Sequence, residues 1–149
     1  MADHVVVTRD LMDGSRFRLA APGVVIVRSV DAPEIAGARI VLADSTVPTH
    51  SYGRLNRFRD ELVETVRVDR PVMLFTHHHL EDRSYPWFWP LGVQRFDNAG
   101  LVRALTKANP DLLISSGHTH RNRVRHEGSA VISEVSATKD YPGVWAGYV

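Results

Sequence analysis

Two stretches decide the fold: Pro71-Val72-Met73-Leu74-Phe75-Thr76, which runs into His77-His78-His79, and Leu112-Leu113-Ile114-Ser115-Ser116, which runs into Gly117-His118-Thr119-His120. Each is a short apolar run with the length of a buried strand. Each passes directly into histidines, and the two clusters contain five of the eight histidines in the chain. In α/β proteins, ligand-binding side chains lie at the carboxyl ends of parallel strands. The stretches therefore predict two neighbouring buried strands with a functional site where they end.

The composition predicts one soluble domain. The chain has 149 residues, 44% of them hydrophobic and 23% charged, which is enough to bury a core. The formal net charge is only +1, so nothing indicates a nucleic-acid or membrane-surface partner. There is no cysteine, which excludes disulfides and thiolate metal ligands. No run is apolar enough to cross a bilayer, and the first residues do not resemble a signal peptide. We therefore expect a cytoplasmic protein.

The elements around the two stretches predict an α/β order. Arg39-Ile40-Val41-Leu42-Ala43 is another buried run. After this run, apolar residues recur at helical spacing, which predicts a helix that begins with Ser51 as its N-cap. A second helix, capped by Asp97 or Asn98, should stop at Asn109-Pro110. Because parallel strands need a crossover between them, this order predicts parallel neighbours.

The remaining segments predict short strands and turns. Residues 1–23 have the pattern of a hairpin, and the β-branched run at 24–27 that of a strand. After the second histidine cluster, residues 122–136 alternate as a hairpin does around a Glu127-Gly128 turn, and residues 145–149 resemble a last strand. No linker or internal repeat divides the chain, so a single domain is expected over residues 1–149.

A long aromatic loop separates the first histidine cluster from the second helix. Residues 80–96 include Tyr85-Pro86-Trp87-Phe88-Trp89-Pro90. Loops of this length in compact domains are usually functional or disordered, and the prolines and large aromatics argue against disorder. We expect the loop either to pack as a lid over its own core or to contact a substrate.

The histidines have the arrangement of metal ligands. Residues i and i+2 in an extended or tightly turning segment can face the same way, so His118 and His120 can address one site. His77 should reach the same edge if the two strands are neighbours. Without a thiolate, nitrogen and oxygen ligands favour zinc, manganese or iron. Gly117 is expected to provide a sharp turn and a close approach to the ligand.

Each of these residues also has an explanation without a ligand. A lone buried histidine is more often a hydrogen-bonded core residue, but two clusters at two strand ends favour metal binding. Arg121 flanks the site and could meet an anion, although a solvated hairpin face explains it equally well. Asp44 and Glu134 follow apolar runs, where acidic residues are common in turns.

An apolar strand into Thr76-His77-His78-His79, a helix, and a strand into Gly117-His118-Thr119-His120 resembles the C-terminal half of the calcineurin-like metallophosphoesterases, from about residue 39 onwards. The resemblance implies part of a layered α/β/β/α sandwich, with mixed sheets flanked by helices. It implies that His77 and His118 bind one metal ion and that His120 binds a second. Such a centre polarises a phosphomonoester or phosphodiester and supplies a metal-activated hydroxide for its hydrolysis.

Further residues are expected around this centre, and the resemblance places two of them, His78 and His79. His78 and His79 would lie near the metals, and either becomes a ligand if the register shifts by one residue. Asn98 and Arg121 are further candidates for neighbours of the site. The candidate substrate loop contributes three aromatic residues: Tyr85, Trp87 and Trp89.

The early motifs of the family are missing from this chain. They are Asp-x-His, Gly-Asp-x-x-Asp and Gly-Asn-His-Asp/Glu, and none occurs here. They supply the bridging carboxylate, without which two neighbouring dications repel each other strongly. We therefore expect at most one metal ion and an incomplete enzyme, the C-terminal portion of a metallophosphoesterase domain. Its exposed sheet face should recruit a complementary N-terminal half or form a homodimer.

Two functions remain open from the sequence. The first is a metal-dependent hydrolase acting on a small phosphate ester, incomplete in this chain. The second is a regulatory or interaction protein that binds one metal ion through His77, His118 and His120 without turnover. The metal content of the chain and its activity on a phosphodiester would separate them.

Overall fold

The described part of the chain forms a mixed sheet with two α-helices. The computed structural model describes residues 34–35, 37–80, 92–93, 100–137 and 146–147. In this part of the chain the strands are β1 (Glu34–Ile35), β2 (Ala38–Ala43), β3 (Val72–Thr76), β4 (Leu112–Ser116), β5 (Arg123–Glu127) and β6 (Ala130–Glu134). Their order across the six-stranded sheet is β1-β2-β3-β4-β6-β5. The predicted α/β class is confirmed.

The inner strands β2, β3, β4 and β6 are parallel, and β1 and β5 pair antiparallel with their neighbours. In the register of β3 and β4, Phe75 is opposite Ser115. The predicted parallel neighbours are therefore confirmed, and both histidine clusters leave the sheet at the same edge. The hairpin of β5 and β6 also forms where the alternating pattern predicted it.

The first helix begins later than its sequence predicts. A 3₁₀ turn, Asn56–Phe58, leads into α1 (Arg59–Val66), and Phe58 at its N-cap makes no side-chain capping bond. The predicted start at Ser51 is wrong because residues 44–54 form a loop with its own pairing. In that loop, Thr46 makes an antiparallel bridge with Gly53.

The second helix, α2 (Leu101–Ala108), packs against α1 and ends at Asn109 as predicted. Asn109 is buried, and its side-chain oxygen accepts a 2.8 Å hydrogen bond from the Asp111 amide. Its side-chain NH₂ group lies 2.9–3.1 Å from three backbone carbonyls, those of Val66, Val68 and Arg70. This one side chain therefore ties the end of α2 to the connection between α1 and β3.

The two faces of the sheet differ in burial. One face packs under the helices, and its buried apolar residues include Val41, Leu74, Ile114 and Ile132. On the other face, the inner strands carry four buried residues, Ile40, Phe75, Ser115 and Ser133. They also carry half-buried apolar residues there: Leu42, Met73, Leu113 and Val131. Strand side chains alternate between faces, so this second row forms a separate apolar surface.

Some predicted features lie outside the described residues. They are the hairpin at 1–23, the strand at 24–27, the loop with Tyr85, Trp87 and Trp89, and most of the last strand. The predicted helix cap at Asp97 or Asn98 is wrong, because α2 begins at Leu101 and its N-cap is Gly100, which makes no side-chain capping bond. Among the described residues, no helix is long and apolar enough to span a membrane.

Candidate metal centre

The two histidine clusters are joined by their backbones. The Gly117 amide donates a 3.0 Å hydrogen bond to the His77 carbonyl, just beyond the ends of β3 and β4. On the other side of β4, the Val135 amide donates to the Ser116 carbonyl at 2.8 Å. These bonds extend the ladders past the strands, so the turn after β3 is fixed against the turn after β4.

The turn after β4 is made by histidine rather than by glycine. His118 has a φ of 70°, and the Thr119 amide donates a 2.9 Å hydrogen bond to the Gly117 carbonyl around it. Such left-handed backbone is uncommon for residues other than glycine and is frequent at functional sites. Gly117 lies outside the left-handed region, and a Cβ there would meet no atom closer than 3.6 Å. The sharp turn predicted at Gly117 therefore lies at His118.

Three histidine side chains meet at this edge of the sheet. His77, His78 and His118 each offer one ring nitrogen, and these nitrogens all lie within 4.8 Å of one another. His77 Nε2 lies 2.9 Å from His118 Nδ1. The ring centroids of the three pairs are 4.5–4.8 Å apart. We refer to these three residues as the three-histidine cluster.

His78 is the most enclosed member of the cluster. Its side chain is 2% exposed, and its Nδ1 lies 2.8 Å from the Ser45 hydroxyl oxygen. Its Nε2 is buried and has no hydrogen-bond partner among the described residues. A buried polar atom without a partner is rare in folded proteins and is often found where a ligand binds.

The surroundings of His78 keep its ring neutral. Burial lowers the pKa of His78 from its ordinary 6.5 to about 2, and charge repulsion from His77, His118 and His79 acts in the same direction. A backbone hydrogen bond with Ser51 opposes the shift by raising the pKa. Since metal ligation requires neutral imidazole, His78 is in the required protonation state throughout the physiological pH range.

The cluster fits a divalent metal ion. Ligand distances of about 2.0–2.1 Å separate the nitrogens of a tetrahedral zinc site by about 3.3 Å. The 2.9 Å between His77 and His118 is close to this value. The limit of 4.8 Å on the other separations means that binding requires a contraction of at most about 1.5 Å. The buried Nε2 of His78 supplies a donor that such an ion would satisfy.

The predicted ligands are thus brought together only in part. His77 and His118 meet as predicted, whereas His78 completes the cluster and His120 does not belong to it. The His120 side chain is exposed, its φ is 54°, and its carbonyl accepts a 2.9 Å hydrogen bond from the Ser136 hydroxyl. The left-handed turns at His118 and His120 change the direction of the backbone, so the i, i+2 rule for extended chains does not apply.

The other site candidates lie around the cluster or outside it. His79 is buried, and its ring is so close to Gly92 that a Cβ there would lie 2.5 Å from Nε2. Arg121 is exposed next to His120. Asn98 and the aromatic residues of the loop fall outside the described residues. Sequence reasoning did not single out Ser45, which follows Asp44 at the end of β2 and has no motif to mark it.

The acidic residues near this edge are engaged elsewhere. Asp44 accepts a 2.9 Å hydrogen bond from the Thr46 amide and so closes a local turn. Glu134 is buried at the end of β6, where its Oε2 accepts a 2.7 Å hydrogen bond from Arg123 Nε. Neither carboxylate belongs to the three-histidine cluster. Within the described residues, the cluster therefore offers nitrogen ligands only.

No model of a protein family matches the chain, and no curated protein matches it.

Proposed function

We propose that the three-histidine cluster binds one divalent ion, zinc, manganese or iron, and that the chain is a metal-dependent phosphoesterase of low activity. The observation that carries the proposal is the buried Nε2 of His78, which has no hydrogen-bond partner among the described residues. Its ring belongs to the same cluster as His77 and His118. Three imidazoles with no thiolate favour these metals and leave a coordination position open, as in catalytic zinc sites.

Each part of the site has a distinct role in this proposal. When bound, the ion supplies a Lewis acid that polarises a phosphate oxygen and lowers the pKa of water. His78 closes the inner wall of the site, while the half-buried His77 and His118 lie nearer to solvent. The exposed Arg121 has the charge and the planar donors that pair with a phosphate group.

The choice of phosphate esters rests on the resemblance to the calcineurin-like metallophosphoesterases. Parallel strands that end in Thr76-His77 and in Gly117-His118 agree with the late motifs of that family. On the second face of the sheet, the half-buried apolar residues Leu42, Met73, Leu113 and Val131 lie where the second sheet of a layered sandwich would pack. We therefore propose that this chain is the C-terminal portion of such a domain, and that a complementary N-terminal half or a second copy covers this face.

One observation favours a second candidate function. No carboxylate joins the three-histidine cluster among the described residues, so nothing there would bridge two ions. A single ion bound by three histidines could serve regulation or interaction without turnover. This candidate differs from the first only in its lack of hydrolysis, and the same experiment separates the two.

The experiment combines metal content with hydrolysis. The purified chain is loaded with Mn²⁺, Zn²⁺ or Fe²⁺, the bound metal is counted, and bis(p-nitrophenyl) phosphate and p-nitrophenyl phosphate are offered as substrates. We expect one ion per chain and slow, metal-dependent hydrolysis that is lost in His118→Ala. His126→Ala is the matched control, because His126 is an exposed histidine on β5 outside the cluster. One bound ion without hydrolysis would favour the second candidate, and no bound ion would reject both.

A further inference from the structure

We infer that Ser45 is a positioning residue for the metal site, because its hydroxyl group sets the orientation and the tautomer of the His78 ring. The inference rests on the metal binding proposed above. Ser45 belongs to none of the histidine motifs. Among the described hydrogen bonds, those that join it to the cluster all involve His78.

Ser45 contacts His78 at two points. The His78 backbone amide donates a 3.2 Å hydrogen bond to the Ser45 hydroxyl oxygen, and the same oxygen lies 2.8 Å from His78 Nδ1. Ser45 itself is completely buried, with 0% of its surface exposed. Because one oxygen contacts both the backbone and the ring of His78, it fixes the ring relative to the turn that follows β3.

The position of Ser45 is in turn fixed by the 44–54 loop. The Arg54 amide donates a 2.8 Å hydrogen bond to the Ser45 carbonyl, and the bridge between Thr46 and Gly53 holds the loop closed. Gly53 then lies directly against the His78 ring, where a Cβ would come within 2.6 Å of Cγ. The ring is therefore confined between the Ser45 hydroxyl and the Gly53 backbone.

The Ser45 hydroxyl group acts, together with the Ser51 backbone that also bonds the ring, on which ring nitrogen carries the hydrogen. If Nδ1–H donates to the Ser45 oxygen, the lone pair lies on Nε2, which is then able to bind a metal ion. If the hydroxyl donates to Nδ1, the hydrogen lies on Nε2 and blocks binding. Histidines that bind metals usually donate their second N–H to such a partner, which fixes the tautomer. Serine can act as the acceptor in the metal-bound state, whereas alanine cannot.

The test compares Ser45→Ala with Ser116→Ala. Ser116 is also a buried serine at this edge of the sheet, but its hydroxyl donates to the Ser133 carbonyl at 3.4 Å. Co²⁺ is titrated into wild type and both variants, and its visible absorption reports the number and geometry of its ligands. We expect Ser45→Ala to weaken metal binding about 10- to 100-fold, which is the range found when partners of metal ligands are removed. We also expect it to change the absorption spectrum of the bound Co²⁺. Ser116→Ala should keep the wild-type affinity and spectrum.

A second measurement needs no variant. The ¹⁵N shifts of the His78 ring in the zinc-loaded wild type report its tautomer directly, and we expect hydrogen on Nδ1. Hydrogen on Nε2, or a Ser45→Ala protein with unchanged affinity and spectrum, would overturn the role of Ser45 while leaving metal binding intact. Failure of the wild type to bind Co²⁺ or Zn²⁺ would instead reject the proposed metal site itself. If Ser45→Ala does not fold, the tautomer of the wild type decides.

Discussion

His77 Nε2 and His118 Nδ1 lie 2.9 Å apart, although 41 positions separate the two residues in the chain. The parallel pairing of β3 with β4 brings them to one edge of the sheet, and the hydrogen bond from Gly117 to the His77 carbonyl fixes the two turns together. His78 reaches the same point from inside the protein. The site therefore depends on backbone contacts that position three imidazoles.

The close packing of Gly53 on the His78 ring predicts a specific sensitivity. In Gly53→Ala the new Cβ would lie 2.6 Å from His78 Cγ, so the ring or the loop must move. We expect a loss of about 1–3 kcal/mol in the free energy of unfolding, as for other overpacked sites, together with weaker metal binding. Chemical denaturation and a metal titration measure the two effects.

Gly117→Ala is the matched control for that variant. Its Cβ would meet no atom closer than 3.6 Å, which is ordinary contact. We expect its free energy of unfolding to stay within about 1 kcal/mol of the wild type. Equal losses in the two variants would contradict the proposed packing of Gly53 against His78.

The hydrogen bonds of Asn109 predict that its replacement, away from the metal site, lowers the free energy of unfolding strongly. Asn109→Ala removes the donor to three backbone carbonyls and the acceptor for the Asp111 amide. Buried groups that lose their partners cost about 1–3 kcal/mol each, so we expect a total loss of about 3 kcal/mol or more in urea denaturation. The control is Asn56→Ala, at an exposed position, which should change stability by less than about 0.5 kcal/mol. A small effect of Asn109→Ala would show that these contacts contribute little.

The pKa of His78 predicts how stability depends on pH in the metal-free protein. Its pKa is lowered from 6.5 to about 2 in the folded state. Below pH 6.5 the unfolded chain binds a proton at His78 that the folded protein does not, so stability falls as the pH falls. The contribution of this residue is about 1.4 kcal/mol per pH unit once the pH is well below 6.5.

Urea denaturation between pH 7.5 and pH 5 tests this contribution. We expect His78→Gln to show a flatter pH dependence than the wild type, and the exposed-site variant His126→Gln to retain the wild-type dependence. If His78→Gln and the wild type have the same slope, the His78 ring is not held neutral by the fold.

The sheet and half of the site could be predicted from the sequence. Apolar runs of strand length identified β2, β3 and β4, and their alternation with helices predicted parallel pairing. Because parallel strands end at one edge, the meeting of His77 with His118 followed from the same pattern. These features depend on local patterns and on one general rule of topology.

The remaining features depend on contacts between distant segments. His78 enters the cluster beside His77, and its ring contacts Ser45, whose place follows from the pairing of β2 with β3. The exclusion of His120 follows from left-handed backbone at His118, which no residue type at that position predicts. The error at Ser51 has a similar cause, because pairing within the 44–54 loop replaces the helical turn that its sequence favours.

The central claim is that His77, His78 and His118 bind one divalent ion. The most direct test is a calorimetric titration of Zn²⁺ or Mn²⁺ into the wild type, His78→Ala and His120→Ala, with circular dichroism as the check on folding. We predict one ion per chain in the wild type, a loss of affinity greater than about 100-fold in His78→Ala, and near wild-type affinity in His120→Ala. A folded His78→Ala protein that binds as tightly as the wild type, or a wild type that binds no ion, would contradict the account.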